Sequence, residues 1–411
     1  MRLHAKHIAG IFILWLMTHS LFAAEITPPA DCSFHANRLV EISSKRFTHS
    51  LHRKFNQLQV MRYRNGAFTP ITYQFEQKDF TPTASHADSL TNTDRLLIRA
   101  NDLGEILPSN TRQTYLDKIT INSMEGRGTV YIVAAQNAAA QETHIHYSKR
   151  TGLLETDCFK LKTSTKNFLI WNGFFYKPLS EQADKKGEKA DRNLLDSFKL
   201  RLSAKLLGPL PRMDADNSDI IPKLIAIDEG PLRTRLLMKA TVTVLKIPVT
   251  YIDMIWTVDN VSITNMVTVT IPPLLTKMVS QPYVSMSLDG RKLDGGSVLT
   301  SVNPNKPTQV NGRMDAQETA LHGLSLDPRR NWVRLRFPVP LVISSQVILP
   351  QNFNTPFTLL YQDDKNLADR PERFTGQEPN VGYQMTNFPL TGQFIFKFSL
   401  FFSDGVEAPP V

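Results

Sequence analysis

Cysteine is scarce: Cys32 and Cys158 are the only two in 411 residues, and they form no Cys-x-x-Cys pair. In an exported chain an isolated even pair is expected to close one disulfide, here around a long loop. No Gly-x-Ser-x-Gly elbow occurs, and no cysteine stands beside a histidine, so the common signatures of nucleophilic catalysis are missing. The adjacent carboxylates Asp228-Glu229 and Asp363-Asp364 point apart in extended chain and make poor acid/base pairs. Basic residues exceed acidic ones, 47 to 38, but they are scattered, with denser patches only at Lys45 to Lys54 and Arg329 to Arg336. Nucleic-acid binding would need a concentrated stripe or a known module, so no nucleic-acid partner is expected. Beyond the N-terminus no run reaches the roughly 18 apolar residues of a membrane helix. Internal repeats are lacking.

At the N-terminus, Arg2 and Lys6 precede an apolar stretch from Ile8 to Met17 and the small residues Ala23-Ala24. This is the pattern of a secretory signal peptide over residues 1–24, with the mature chain starting near Ala24 or Glu25. Its removal lowers the net charge from +9 to +7. A periplasmic or secreted location is expected, with no transmembrane segment after signal removal.

The stretch Ile225 to Pro273 organises the rest. Val242 and Val244 alternate with Thr241 and Thr243, and Ile263, Val267, Val269 and Ile271 alternate with Thr264, Thr268 and Thr270. Period two with threonine outside is the pattern of half-buried strands. Turns at Asp228-Glu229-Gly230-Pro231 and Asp259-Asn260 divide the stretch into about three strands of a large antiparallel sheet. Upstream, Asn65-Gly66 suits the tight turn of a hairpin running from Gln57 to Glu76. Arg38 to Leu58 reads either as a short amphipathic helix or as an irregular approach. Residues 177–192, polar and free of aromatics, form a charged linker or long loop. Ser301 to Asn331 and Tyr361 to Gly382 read as further long loops. Phe394, Phe396, Phe398, Leu400 and Phe402 place a core strand at the C-terminus.

The fold class is therefore mainly β: an antiparallel β-sandwich over residues 25–176, then a larger β-sandwich or supersandwich over 193–411. Gly66, Pro70 and Gln74, followed by Asp94, Leu96, Ile98, Ala100, Asp102, Leu103 and Gly104, resemble the N-terminal β-sandwich of exported bacterial proteins, some akin to polysaccharide lyases. In that group a supersandwich follows whose first strand often begins Gly-Pro-x-Arg, as Gly230-Pro231-Leu232-Arg233 does here. The resemblance implies a fold; no lyase catalytic motif accompanies it.

Three constellations could carry chemistry. On one face of a strand, Trp332, Arg334 and Arg336 would set an indole platform beside two guanidinium groups, suited to stacking on a sugar and pairing with a carboxylate, while Val333, Leu335 and Phe337 face the core. His144 and His146, two apart on a strand, could offer two metal ligands. Asp214 and Asp216 belong to a run with the alternating carboxylates of a calcium loop, without its Gly and bidentate Glu. Metal is the weaker reading of both, and no cofactor is expected. The favoured function is a non-catalytic envelope or extracellular protein, with a glycan or another envelope component as partner. The rival is a lyase or epimerase acting on acidic polysaccharide; a purely structural envelope role is the third.

Overall fold

The computed structural model describes residues 32–405, apart from 79, 81–87, 180–191, 210, 245–246, 352, 368, 370–372 and 375–378. The signal segment and most of the charged linker fall outside these residues. Among the described residues the architecture is antiparallel β-sandwich, in five sheets. Among the described residues no helix is long and apolar enough to cross a membrane.

The first sandwich pairs two small sheets. One has the order β1 (Leu39–Ser43), β5 (Asp94–Arg99), β4 (Tyr73–Gln77); the other runs β3 (Ala67–Pro70), β2 (Leu58–Arg64), β7 (Arg127–Ala134), β6 (Asp117–Asn122). Val40, Ile42, Val60, Leu96, Ile98 and Ile132 fill the space between them. The Asn-Gly turn forms as read, with Asn65 and Gly66 at φ 53° and 77°. The strand expected to run from Ala67 to Glu76 divides after Pro70, and its halves join different sheets. Proline lacks the N–H that would continue the ladder, so the chain crosses over there. The ambiguous stretch before the hairpin resolves into β1 and two short 3-10 turns.

The larger body sets a five-stranded sheet against a nine-stranded one. The five strands run β13 (Arg212–Asp216), β12 (Leu195–Leu206), β18 (Val279–Gly290), β24 (Asn380–Thr386), β23 (Phe357–Gln362). In the nine-stranded sheet the organising stretch supplies four neighbours, β14 (Lys223–Glu229), β15 (Thr234–Val244), β16 (Ile247–Val258) and β17 (Ser262–Ile271). The order continues through β25 (Gly392–Ser403), β22 (Val342–Ile348), β21 (Val333–Arg336), β19 (Ser297–Thr300) and β20 (Asn303–Gln309). The C-terminal strand is central, as its phenylalanine alternation requires: Phe396, Phe398, Leu400 and Phe402 are all buried. Ser301 to Asn331, read as a loop, instead holds β20 and a short helix, Ala316–Leu321. Polar, proline-bearing β20 lies at the sheet edge, where a missing N–H is tolerated. The helix is fixed by a capping box between Asp315 and Glu318.

A third, four-stranded sheet, β11 (Trp171–Tyr176), β10 (Phe159–Thr163), β9 (Leu153–Thr156), β8 (Ile145–Ser148), adds its aromatic side chains to the larger core. Tyr176, placed from sequence at the end of the first sandwich, stacks on Phe34, and both belong to this core. The disulfide between Cys32 and Cys158 forms and lies fully buried there.

Candidate functional site

The outer face of the nine-stranded sheet has two halves. Around Arg233 and Arg235 it is covered by the first sandwich, while Tyr251 and Met266 farther along the same face are exposed; over β21 and β22 the first sandwich makes no hydrogen bond or ion pair among the described residues. Strand alternation builds the second half as expected. Val333, Leu335 and Phe337 are buried in the core, Trp332 and Arg334 are half-buried, and Arg336 is exposed. The Arg334 guanidinium lies 4.3 Å from the centre of the Trp332 ring. Such stacking holds a cation in a fixed direction at little entropic cost.

Cross-strand register then places one row of side chains on this face: Ser262, Phe401, Ser344, Arg334, Leu299. Two members of the row are unsatisfied. Arg334 Nε and Ser344 Oγ are shielded from solvent yet have no hydrogen-bond partner, and Ser344 is 1% exposed. Among the described residues neither Arg334 nor Arg336 has a carboxylate partner. Burial, and then the neighbouring Arg336 charge, push the Arg334 guanidinium below its ordinary pKa. Buried polar groups are nearly always paired in folded proteins, so two adjacent exceptions beside the Trp332 ring make this face a candidate site.

Phe401 of the same row also walls a cleft of about 590 Å3 between the first sandwich and the sheet. Arg38, Arg46 and Lys397 line it, together with Asn122 and Glu125. Two strand spacings, about 10 Å, separate Phe401 from Arg334. Cleft and basic face thus adjoin along one outer surface.

Sequence reading missed the charge cluster beneath the first sandwich. Arg233 Nη2 donates to Glu41 Oε1 at 2.7 Å and Nη1 to Glu76 Oε2 at 3.3 Å. Arg235 pairs with Glu76 at 3.1 Å and with Asp228, and lies over the Phe80 ring. Arg95 pairs with both Glu41 and Glu76. Burial raises the Glu41 carboxyl, but Arg233 and Arg95 outweigh it and hold it below the usual range. For Asp259, fully enclosed beside Arg233, burial prevails and the pKa rises. The two motifs behind the family resemblance meet here. Gln74 Oε1 accepts from the N–H groups of Leu232 and Arg233, its Nε2 donates to Arg233 O, and a side chain at Gly230 would collide with it. These residues join two units of the fold, and Glu41, Arg233 and Asp259 also line the cleft of about 590 Å3. Only their contact across the sequence, which no local pattern encodes, would have revealed this.

The metal candidates do not assemble. His144 is buried, with Nδ1 2.8 Å from Asp157 Oδ2, whereas exposed His146 lies 3.0 Å from Glu229. His144 precedes β8 rather than belonging to it, so the two rings do not converge as the two-residue spacing suggested. Asp214 accepts from Ser203 Oγ, and Asp216 closes a turn by accepting from the N–H and hydroxyl of Ser218. No group of three or more metal-ligating side chains occurs among the described residues. Glu318 and Asp363 form a second unexpected cluster with Tyr361. Glu318 Oε1 accepts from the Tyr361 hydroxyl at 3.0 Å, and Asp363 accepts from the N–H groups of Asn311 and Gly312. Burial raises both carboxyls, yet both are enclosed at 1% exposure or less, so they lock the short helix in place rather than face a substrate.

No family model and no curated protein sequence matches the chain. Among solved structures it is similar to an α-mannosidase from Enterococcus faecalis V583, at 10% identity and a TM-score of 0.42, over 89% of this chain and 41% of that one. The chain therefore spans less than half the length of that enzyme. An aldose epimerase homologue from C. elegans matches at 10% identity and a TM-score of 0.34, over 63% of this chain and 98% of that one. A copper-containing benzylamine oxidase from Hansenula polymorpha matches at 9% identity and 0.33, over 89% and 77%. Likeness at this level fixes neither activity nor ligand.

Proposed function

We propose that the protein is an exported, non-catalytic envelope or extracellular protein that binds an acidic glycan on the outer face of its nine-stranded sheet. The observation that carries this reading is the pair of unsatisfied atoms, Arg334 Nε and Ser344 Oγ, on adjacent strands beside Trp332. Trp332 is the stacking platform for a sugar ring. Arg334, held against it, offers a fork for a carboxylate, and Arg336 adds a second positive charge at the exposed end of the strand. A disulfide suits a compartment outside the cytoplasm. The non-catalytic reading is supported by the immediate neighbours of Arg334 and Arg336, which are Leu299, Ser344, Ser297 and Val342; none can serve as a general acid or base.

The test is calorimetric titration of the full mature chain with oligogalacturonate and with maltooligosaccharide. The acidic oligomer should bind, the neutral one should bind more weakly, and added salt should narrow the gap. Trp332→Ala should abolish binding to both without lowering the melting temperature by more than a few degrees. Arg334→Lys, which keeps the charge and loses the fork, should weaken the acidic oligomer roughly tenfold. Unchanged binding in both variants would remove the face from consideration. Chain cleavage of the oligomer, seen as new reducing or unsaturated ends, would favour the enzyme reading.

A further inference from the structure

Asn265 interrupts the apolar series on the inner face of β17, between Ile263 and Val267. Cross-strand pairing sets it beside Trp256 of β16, and its other neighbour is Phe398 of β25. Its residue is 8% exposed, and its Oδ1 is shielded from solvent and accepts no hydrogen bond. An asparagine buried without a partner in an apolar core is costly, because it loses its hydrogen bonds to water and gains none. Leucine would fill the same volume without that penalty.

What lies beside it is a cavity of about 210 Å3 between the two large sheets. Leu200, Met286 and Met385 line one wall, and Val267 and Phe398 line the other with Asn265. In a closed sandwich, inner-face residues interdigitate and leave few voids larger than a water molecule. Here Leu200, Val267, Val269 and Met286 point inward yet stay half-buried, so the sheets do not meet at this point. The space exceeds the roughly 150 Å3 of an engineered apolar cavity that takes up benzene. No charged side chain lines it, which rules out an ionised guest.

We infer that this cavity is a second binding site, for a small neutral apolar molecule that carries a single hydrogen-bonding group and presents it to the Asn265 amide. The apolar body displaces the void, and a hydroxyl on the guest donates to the Asn265 Oδ1 that the fold leaves unpaired. The site lies inside the sandwich, on the opposite side of the nine-stranded sheet from Trp332 and Arg334, and it does not depend on glycan binding.

The probe is p-cresol, with toluene as the matched molecule lacking the hydroxyl, titrated calorimetrically into the full mature chain. One equivalent of p-cresol should bind saturably, and toluene should bind roughly tenfold more weakly. Asn265→Leu should erase that preference and raise the melting temperature of the unliganded protein. Val267→Phe, which fills the cavity, should abolish both binding events while the protein stays folded by circular dichroism. Equal affinity for the two probes in the parent would mean that Asn265 is already satisfied by trapped water, and would overturn the proposal. So would the lack of saturable binding in the folded parent, or binding that neither variant changes.

Discussion

Arg235 and Arg334 project from the same outer face of the same sheet, yet they sit in opposite electrostatic settings. Arg235, 4% exposed, meets Glu76 and Asp228 and is capped by Phe80. Arg334, half-buried over Trp332, meets no carboxylate among the described residues and leaves Nε unsatisfied. The difference arises in the first sandwich. Its strands bring Glu41 and Glu76 down onto β15, and among the described residues no carboxylate pairs with an arginine of β21. One half of the face carries an internal joint, and the other carries an arginine with no carboxylate partner among the described residues. An arginine's role here is set by what covers it rather than by its strand.

The comparison breaks most severely at Glu76, whose side chain is fully enclosed among Arg95, Arg233 and Arg235. Glu76→Ala strands these charges and should destabilise the protein by about 3–5 kcal/mol in a urea titration. A loss below about 1 kcal/mol would mean that the joint is held by packing alone. Next in size is Leu335→Ala, directly beneath the open half, expected to cost about 2–5 kcal/mol through a core cavity. That result would show that the open face is supported from below.

Acid should act within the first sandwich, on Asp117 of β6. Asp117 is desolvated, but hydrogen bonds from Ser50, Thr48 and His49 outweigh burial and hold its pKa at about 2. A carboxyl lowered in the folded state contributes stability fully above its unfolded pKa, near 4, and loses it as pH falls toward 2. Melting followed from pH 5 to pH 2 should reveal a loss on the order of 2 kcal/mol that Asp117→Asn removes. Smallest of all, Arg334→Met should change stability by no more than about 0.5 kcal/mol, in either direction, because no counter-charge is left behind. A clear destabilisation would mean that Arg334 has a structural partner and belongs with Arg235.

The local patterns were legible in the sequence to the extent that they repeat at short range. The Asn-Gly dipeptide gave the turn at Asn65-Gly66, and alternation gave the burial of Val333, Leu335 and Phe337 and the core role of the C-terminal phenylalanines. It also put Trp332 and Arg334 on one face, but could not say that Ser344 stands beside them, since register between β21 and β22 is set by the whole sheet. The same limit hid Glu41 and Glu76 as partners of Arg233, more than 150 residues away. His144 and His146 part for a complementary reason: period two holds only within a strand, and β8 begins after His144. Ser301 to Asn331 looked like a loop because an edge strand need not be apolar, and its helix is only one and a half turns long.

The disulfide has a consequence for how the chain can be cut. Cys32 and Phe34 enter the large core before the first sandwich begins, and the chain returns to that core at Ile145. Topologically the first sandwich is an excursion between two anchors, 126 residues apart and covalently joined. A protease that nicked the exposed connection between Ala135 and Thr143 would leave both pieces in one molecule, and only reduction would let the sandwich leave.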